Sequence, residues 1–318
     1  MTDFQLKFKL IFLRFLIIQA AFIVVYSFFN WYVFMQRDWL HLHQDVADFA
    51  IPGVLAFIPV IVFLLPRLRL LDFSQKKGKN PIAGGVIIAF FATAVTTLTL
   101  QNYLLTATGK LTSLQNIGQI NQLPKTKYYT IKQHYADIKD NYVYDNRYVS
   151  GKGNTRLNFD AYIVFPIYNS VTDTAQIHRR FPHVWLGVCY SKTISNRISQ
   201  TEKEQAYTEF KANTMANFMS RSADDFVYLD RLGKSQRSGS YKRALGLFDS
   251  DDSASLMFFE AHNQPFANRN GNKLWWVLLA FAGGGGMFVL VLAGTPLDKQ
   301  KVAALRPPDP GDFNNWKS

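Results

Sequence analysis

The run His41-Leu42-His43-Gln44-Asp45 sets two imidazoles and a carboxylate at alternating positions. In an extended segment alternation turns all three to one side, and imidazole with carboxylate suits zinc or copper. Three ligands are visible there, with Asp48 as the nearest fourth, against the plainer reading of a polar loop at a membrane surface. For nucleophilic chemistry, Ser150, Ser191 and Ser195 fall near turns, and His178 and His183 lie in the same region. A serine is weak until a base activates it, and there is no G-x-S-x-G elbow to present one. Cys189 is the single cysteine and stands in an apolar strand pattern, where a thiol packs as a small hydrophobe. The acidic groups Asp224-Asp225 and Asp249, Asp251, Asp252 lack the glycine and distal glutamate of a calcium loop and read as loop and cap residues. No catalytic constellation emerges, and no cofactor is implied.

The elements that would carry these residues are of two kinds. The chain has 318 residues, with 35 Lys+Arg against 23 Asp+Glu for a net +12, and only 18% charged residues. A soluble domain carries about 25%. With 27 Phe, 15 Tyr and 6 Trp the chain is not disordered, and one cysteine excludes a disulfide scaffold. Four stretches are apolar enough to span a bilayer: 11–34, 49–66, 82–105 and 274–293. The fold class expected is therefore a multi-pass α-helical membrane protein with an inserted extracytoplasmic domain.

Lys7, Lys9 and Arg14 begin the first span, and Arg67, Arg69, Lys76, Lys77 and Lys79 fill the loop 67–81. The tail carries Lys299, Lys301, Arg306 and Lys317. By the positive-inside rule both termini are cytoplasmic and 106–272 lies outside. One cysteine and no N-x-Ser/Thr sequon fit a bacterial inner membrane, which makes 106–272 periplasmic. The basic loop then serves topology and lipid contact, not nucleic acid. No span holds Asp, Glu, Lys or His at its middle, which argues against a pump or carrier. Pro59 is expected to kink the second span. The run Gly283-Gly284-Gly285-Gly286 marks the fourth as a helix-packing face, toward this bundle or another integral membrane protein.

Between the third and fourth spans, 106–124 reads as a polar neck. Strand signals follow at Tyr128–Tyr135, Tyr142–Val149, Leu157–Tyr168 and Trp185–Tyr190, the middle two joined as a hairpin by Ser150-Gly151-Lys152-Gly153-Asn154. Ser199 and Glu202 form a capping box, and Ala206, Phe210, Thr214 and Phe218 recur as one helix face. A short strand at Phe226–Leu229, a helix at Ser240–Phe248 and a strand at Leu256–Phe259 complete an α+β domain with a mostly antiparallel sheet. Its surplus of tyrosine and basic residues suits ligand recognition.

Several runs carry a family resemblance: Lys127-Tyr128-Tyr129-Thr130-Ile131-Lys132, Ser150-Gly151-Lys152, Tyr162-Ile163-Val164-Phe165-Pro166-Ile167, Trp185-Leu186-Gly187, Lys192-Thr193-Ile194-Ser195-Asn196-Arg197, Tyr228-Leu229-Asp230-Arg231 and Asn268-Arg269-Asn270-Gly271-Asn272-Lys273. As a set they resemble the N-terminal accessory region of bacterial rhomboid-family intramembrane serine proteases. There, spans and an extracytoplasmic domain precede a six-helix protease domain. That chemistry needs a Gly-x-Ser-Gly motif and an intramembrane His, and neither is present. The resemblance implies a module without the activity: a non-catalytic, membrane-anchored binding or adaptor protein. The alternatives are a ligand sensor, or one half of a split intramembrane protease.

Overall fold

The computed structural model describes residues 2–36, 46, 50–72, 81–174, 183–247 and 256–304. The chain divides into two units, Met1–Ala107 with Asn270–Ser318, and Thr108–Arg269.

The first unit is helical. Among the described residues four helices are long and apolar enough to cross a membrane: α1 (Asp3–Val33), α2 (Ile51–Leu68), α3 (Pro81–Ala107) and α6 (Lys273–Ala293). Thr2 starts α1 with a capping box, its side chain accepting from Gln5 N while the Gln5 side chain accepts from Thr2 N. In α2 the prolines interrupt the regular ladder. Ala56 closes a turn on Pro52 O at 3.0 Å, and after Pro59 the backbone winds through wider turns over Val60–Leu64. Ile11, Phe15, Val60, Leu64, Leu68, Phe288 and Leu292 form the bundle core. Lys7 is buried and its Nζ donates to Leu292 O at 3.0 Å, placing a cation on the last carbonyls of α6.

The four glycines of α6 do different things. A Cβ on Gly284 would stand 2.6 Å from Ala92 Cβ, so α6 and α3 touch there at backbone distance. Gly285 faces Phe12, while Gly283 and Gly286 have nothing within 4 Å among the described residues.

The second unit is a mixed eight-stranded sheet: β1 (Leu111–Asn116), β2 (Tyr128–Gln133), β3 (Tyr135–Ala136), β4 (Tyr142–Ser150), β5 (Arg156–Tyr168), β6 (Val184–Ser195), β7 (Tyr228–Arg231) and β8 (Met257–His262). Their order is β1-β2-β7-β8-β6-β5-β3, with β4 lying against β5. Pairings β1–β2 and β6–β8 are parallel; β2–β7, β7–β8, β5–β6, β4–β5 and β3–β5 are antiparallel. Pro166 sits where β4 has ended at Val164 and β3 begins at Ile167, a gap in which a missing N–H breaks no ladder to the outer neighbour.

Helix α4 (Gln200–Met219) packs Phe210 and Phe218 onto one face, over Phe159, Ala161, Ile163 and Phe165. Its Ser199–Glu202 capping box is present, with Ser199 N donating to Glu202 Oε2 at 2.8 Å. Helix α5 (Gln236–Ala244) covers the other face, with Tyr241 over Val164, Trp185 and Phe258. Gly187 lies beneath Tyr241: a Cβ there would stand 2.4 Å from the ring.

Four expectations are corrected. The stretch 106–124 is no neck, because β1 and the turn Ile117–Asn121 bury Leu114, Ile117 and Ile120 in the sheet core. Few apolar residues suffice for a strand that meets only one neighbour. The second helix starts earlier, at Gln236, because Ser235 and Ser238 cap it reciprocally; Ser240 and Tyr241 are its buried middle, not its start. The strand expected at Phe226–Leu229 runs instead over Tyr228–Arg231, and that at Leu256–Phe259 over Met257–His262.

Candidate functional site

The side chains of β5 alternate between the two helices. Phe159, Ala161 and Ile163 face α4, while Asn158, Asp160, Tyr162 and Val164 face the α5 side. Tyr162 and Val164 belong to the apolar cluster under α5, and Asn158 and Asp160 lie outside it. Both are nonetheless only 9% exposed. Register explains why. Asp160 is flanked by Asn146 on β4 and Ser191 on β6, and Asn158 by Tyr148 and Thr193. The neighbouring side chains bury them without a helix above.

Hydroxyls converge on the Asp160 carboxylate. The Tyr162 hydroxyl lies 3.5 Å from Oδ2, and the Tyr148 hydroxyl reaches the same carboxylate. Ser240 on α5 in turn hydrogen-bonds Tyr162. Cys189 stands opposite Tyr162, its Sγ 3.8 Å from Ser191 Oγ. Asn158 extends the row, donating to Ser150 Oγ and accepting from Thr193 Oγ1, each at 2.8 Å. Across β6 the pair Arg237–Glu260 closes the far side at 2.9 Å, with the Tyr241 hydroxyl donating to Glu260 Oε1 at 3.1 Å.

Among the described residues no cation pairs with Asp160, and Arg237 is paired with Glu260. Burial pushes the Tyr162 hydroxyl up to about 12, aided by the neighbouring Cys189 and Asp160. Burial also raises Tyr148 and the Cys189 thiol, so both stay protonated donors at neutral pH. The result is a polar sheet face with the Asp160 carboxyl group at its centre, ringed by tyrosine, serine and threonine hydroxyls.

The structure brings Ser150 and Ser191 onto this polar face but, among the described residues, no histidine to them; His183 gives its backbone carbonyl to Met257 N at 2.8 Å. Ser150 is held by Asn158, Ser191 sits beside Cys189, and Ser195 accepts from Arg197 N at 3.2 Å. His134 is occupied with the Asp224 carbonyl at 3.1 Å, and His262 stacks on Tyr228. Asp224 caps Ala136 N at 2.7 Å, a structural contact of the kind expected for that acid pair. No His/Cys/Asp/Glu group able to hold a metal occurs among the described residues. His41, His43 and Asp45 lie outside those residues, as do His178, Asp249, Asp251 and Asp252.

Asp160 and Tyr148 were not singled out by the sequence. The signal was there: two polar residues at alternate positions, Asn158 and Asp160, interrupt an otherwise apolar strand. The chain matches no family model, no curated protein and no solved structure.

Proposed function

We propose that the protein is a membrane-anchored binding module. Its helical unit spans a bilayer with both termini in the cytoplasm, and Thr108–Arg269 is its extracytoplasmic receptor domain. The basic loop 67–81 and the basic residues around α1 and after α6 support that orientation. The observation that carries the binding reading is Asp160: a 9%-exposed carboxylate without a cationic partner among the described residues, approached by tyrosine hydroxyls. An ammonium or polyol ligand would add a cation or further donors to that carboxylate, and the Tyr148 ring supplies an apolar face. The resemblance to the accessory region of rhomboid-type proteases is in keeping with recognition without chemistry.

The test is a thermal-shift screen of the detergent-solubilised full chain against organic amines and oligosaccharides. A ligand at one hundred times its dissociation constant stabilises by about 2.7 kcal/mol, a readily measured shift. Asp160→Asn keeps the shape and hydrogen-bond acceptor and is expected to abolish the shift while leaving the ligand-free melt in place. A screen in which no compound shifts the wild type would leave this face as solvated surface and sink the proposal.

A further inference from the structure

Strand β4 is an edge. It pairs with β5 alone, in unbroken antiparallel register from Tyr142↔Val164 to Ser150↔Arg156, and among the described residues no strand lies on its other side. Nine residues of backbone N–H and C=O groups alternate toward that open side. Several of the usual protections are missing: there is no bulge and no Pro, Gly or Lys between 142 and 150, and the only charges are the opposite pair Asp145 and Arg147. Instead Tyr142, Val143, Tyr148 and Val149 are 39%, 40%, 44% and 47% exposed. An edge this long, regular and apolar is a template for another strand.

The sequence of β4 names the strand. Around Asn146 the strand is self-complementary: Val143 mirrors Val149, Tyr144 mirrors Tyr148, and Asp145 mirrors the opposite charge of Arg147. We propose that β4 pairs antiparallel with β4 of a second copy, about a two-fold axis through Asn146. The two sheets then continue as one.

Each cross-strand pair is favourable: Val143 faces Val149, Tyr144 faces Tyr148, and Asp145 faces Arg147 twice by symmetry. The register is also guarded. Sliding by two residues in either direction sets Asp145 against Asp145 or Arg147 against Arg147, and sliding by one turns the side chains to opposite faces. Arg147 is already held over the Tyr207 ring, 3.8 Å from its centroid, with its side chain 45% exposed and able to meet a second acid beside Glu204. The charge pattern of the edge thus fits a copy of itself better than an arbitrary peptide.

The experiment is oxidative crosslinking of the full chain in lipid nanodiscs, in a Cys189→Ser background. Asn146→Cys lies on the axis and is expected to give a covalent dimer alone. Val143→Cys alone is expected to give none, because its own copy lies six positions away along the paired strands; Val143→Cys with Val149→Cys restores it. Arg147→Glu is expected to weaken the dimer at least tenfold by light scattering. Absence of an Asn146→Cys dimer, with the circular dichroism spectrum of the wild type retained, overturns the proposal and frees the edge for an extended segment of another protein. Equal crosslinking by Val143→Cys alone overturns it too, since random collision would then suffice.

Discussion

Tyr241 and Gly187 show how tightly single residues are set. The Tyr241 ring is fully buried against the backbone of Gly187, and its hydroxyl is anchored on Glu260 at 3.1 Å. The ring has no room to retreat, so Gly187→Ala is expected to cost about 1–3 kcal/mol, read as a lower denaturation midpoint. Buried tyrosines also set the alkaline limit. Burial holds Tyr162 up to about 12, and it raises Tyr128, Tyr168 and Tyr241 further. An unfolded tyrosine titrates near 10. Below that pH both states keep the proton and stability is intact. Above it the unfolded chain binds fewer protons than the folded one, so stability falls as pH rises. The domain is expected to hold to about pH 10 and to lose stability between there and 12. Phenolate absorbance followed alongside circular dichroism checks this; free titration of all tyrosines near 10 without unfolding would contradict it. At this scale the site was half legible. Asn158 and Asp160 break the apolar run of β5, but the approach of Tyr148 depends on the cross-strand register.

At the scale of elements, the bundle carries a seam that a search for charged residues does not see. Gln19, Ser27 and Asn30 on α1 are buried, as are Thr93, Thr96, Thr97 and Gln101 on α3. Gln101 Nε2 donates to Ser27 Oγ at 2.9 Å and Gln19 Nε2 to Ala92 O at 3.2 Å, fixing the two helices in parallel register. Both polar atoms of Asn30 lack a partner among the described residues. A buried amide without partners costs more than an apolar side chain of similar size. Asn30→Leu is therefore expected to raise the melting temperature of the solubilised chain; a large fall would mean that water or another group satisfies the amide. Helix α6 makes a second comparison. Gly284→Leu, aimed at Ala92, is expected to destabilise the bundle, whereas Gly286→Leu is expected to leave its melt almost unchanged. Capping and periodicity made α4 legible from sequence, and the apolar runs made the four long helices so. Strand β1 and the start of α5 were not, because one rests on three scattered apolar side chains and the other on a serine pair.

For the whole molecule, local pattern stops short of topology. The β4–β5 hairpin is sequence-local, and its turn glycines at positive φ, Gly151 and Gly153, announce it. The parallel neighbours β6 and β8 are separated by α4, β7 and α5, and nothing local selects that pairing. Gly109, just inside the start of the sheet unit, is so close to Tyr128 that a Cβ would stand 2.6 Å from the ring. Phe266, near its end, meets the same ring with centroids 5.2 Å apart. The folded unit therefore brings its own two ends together on one tyrosine. Closing a flexible loop costs entropy that grows by about 0.6 kcal/mol for each doubling of its length. From Thr108 to Arg269 there are 269 − 108 + 1 = 162 residues. Once folded they act on α3 and α6 as a connection of a few residues. By that scaling the shortening is worth about 3 kcal/mol to the α3–α6 hairpin. Folding of the sheet unit thus raises the effective concentration of one helix for the other, and a destabilised sheet unit loosens the helical hairpin through chain statistics alone.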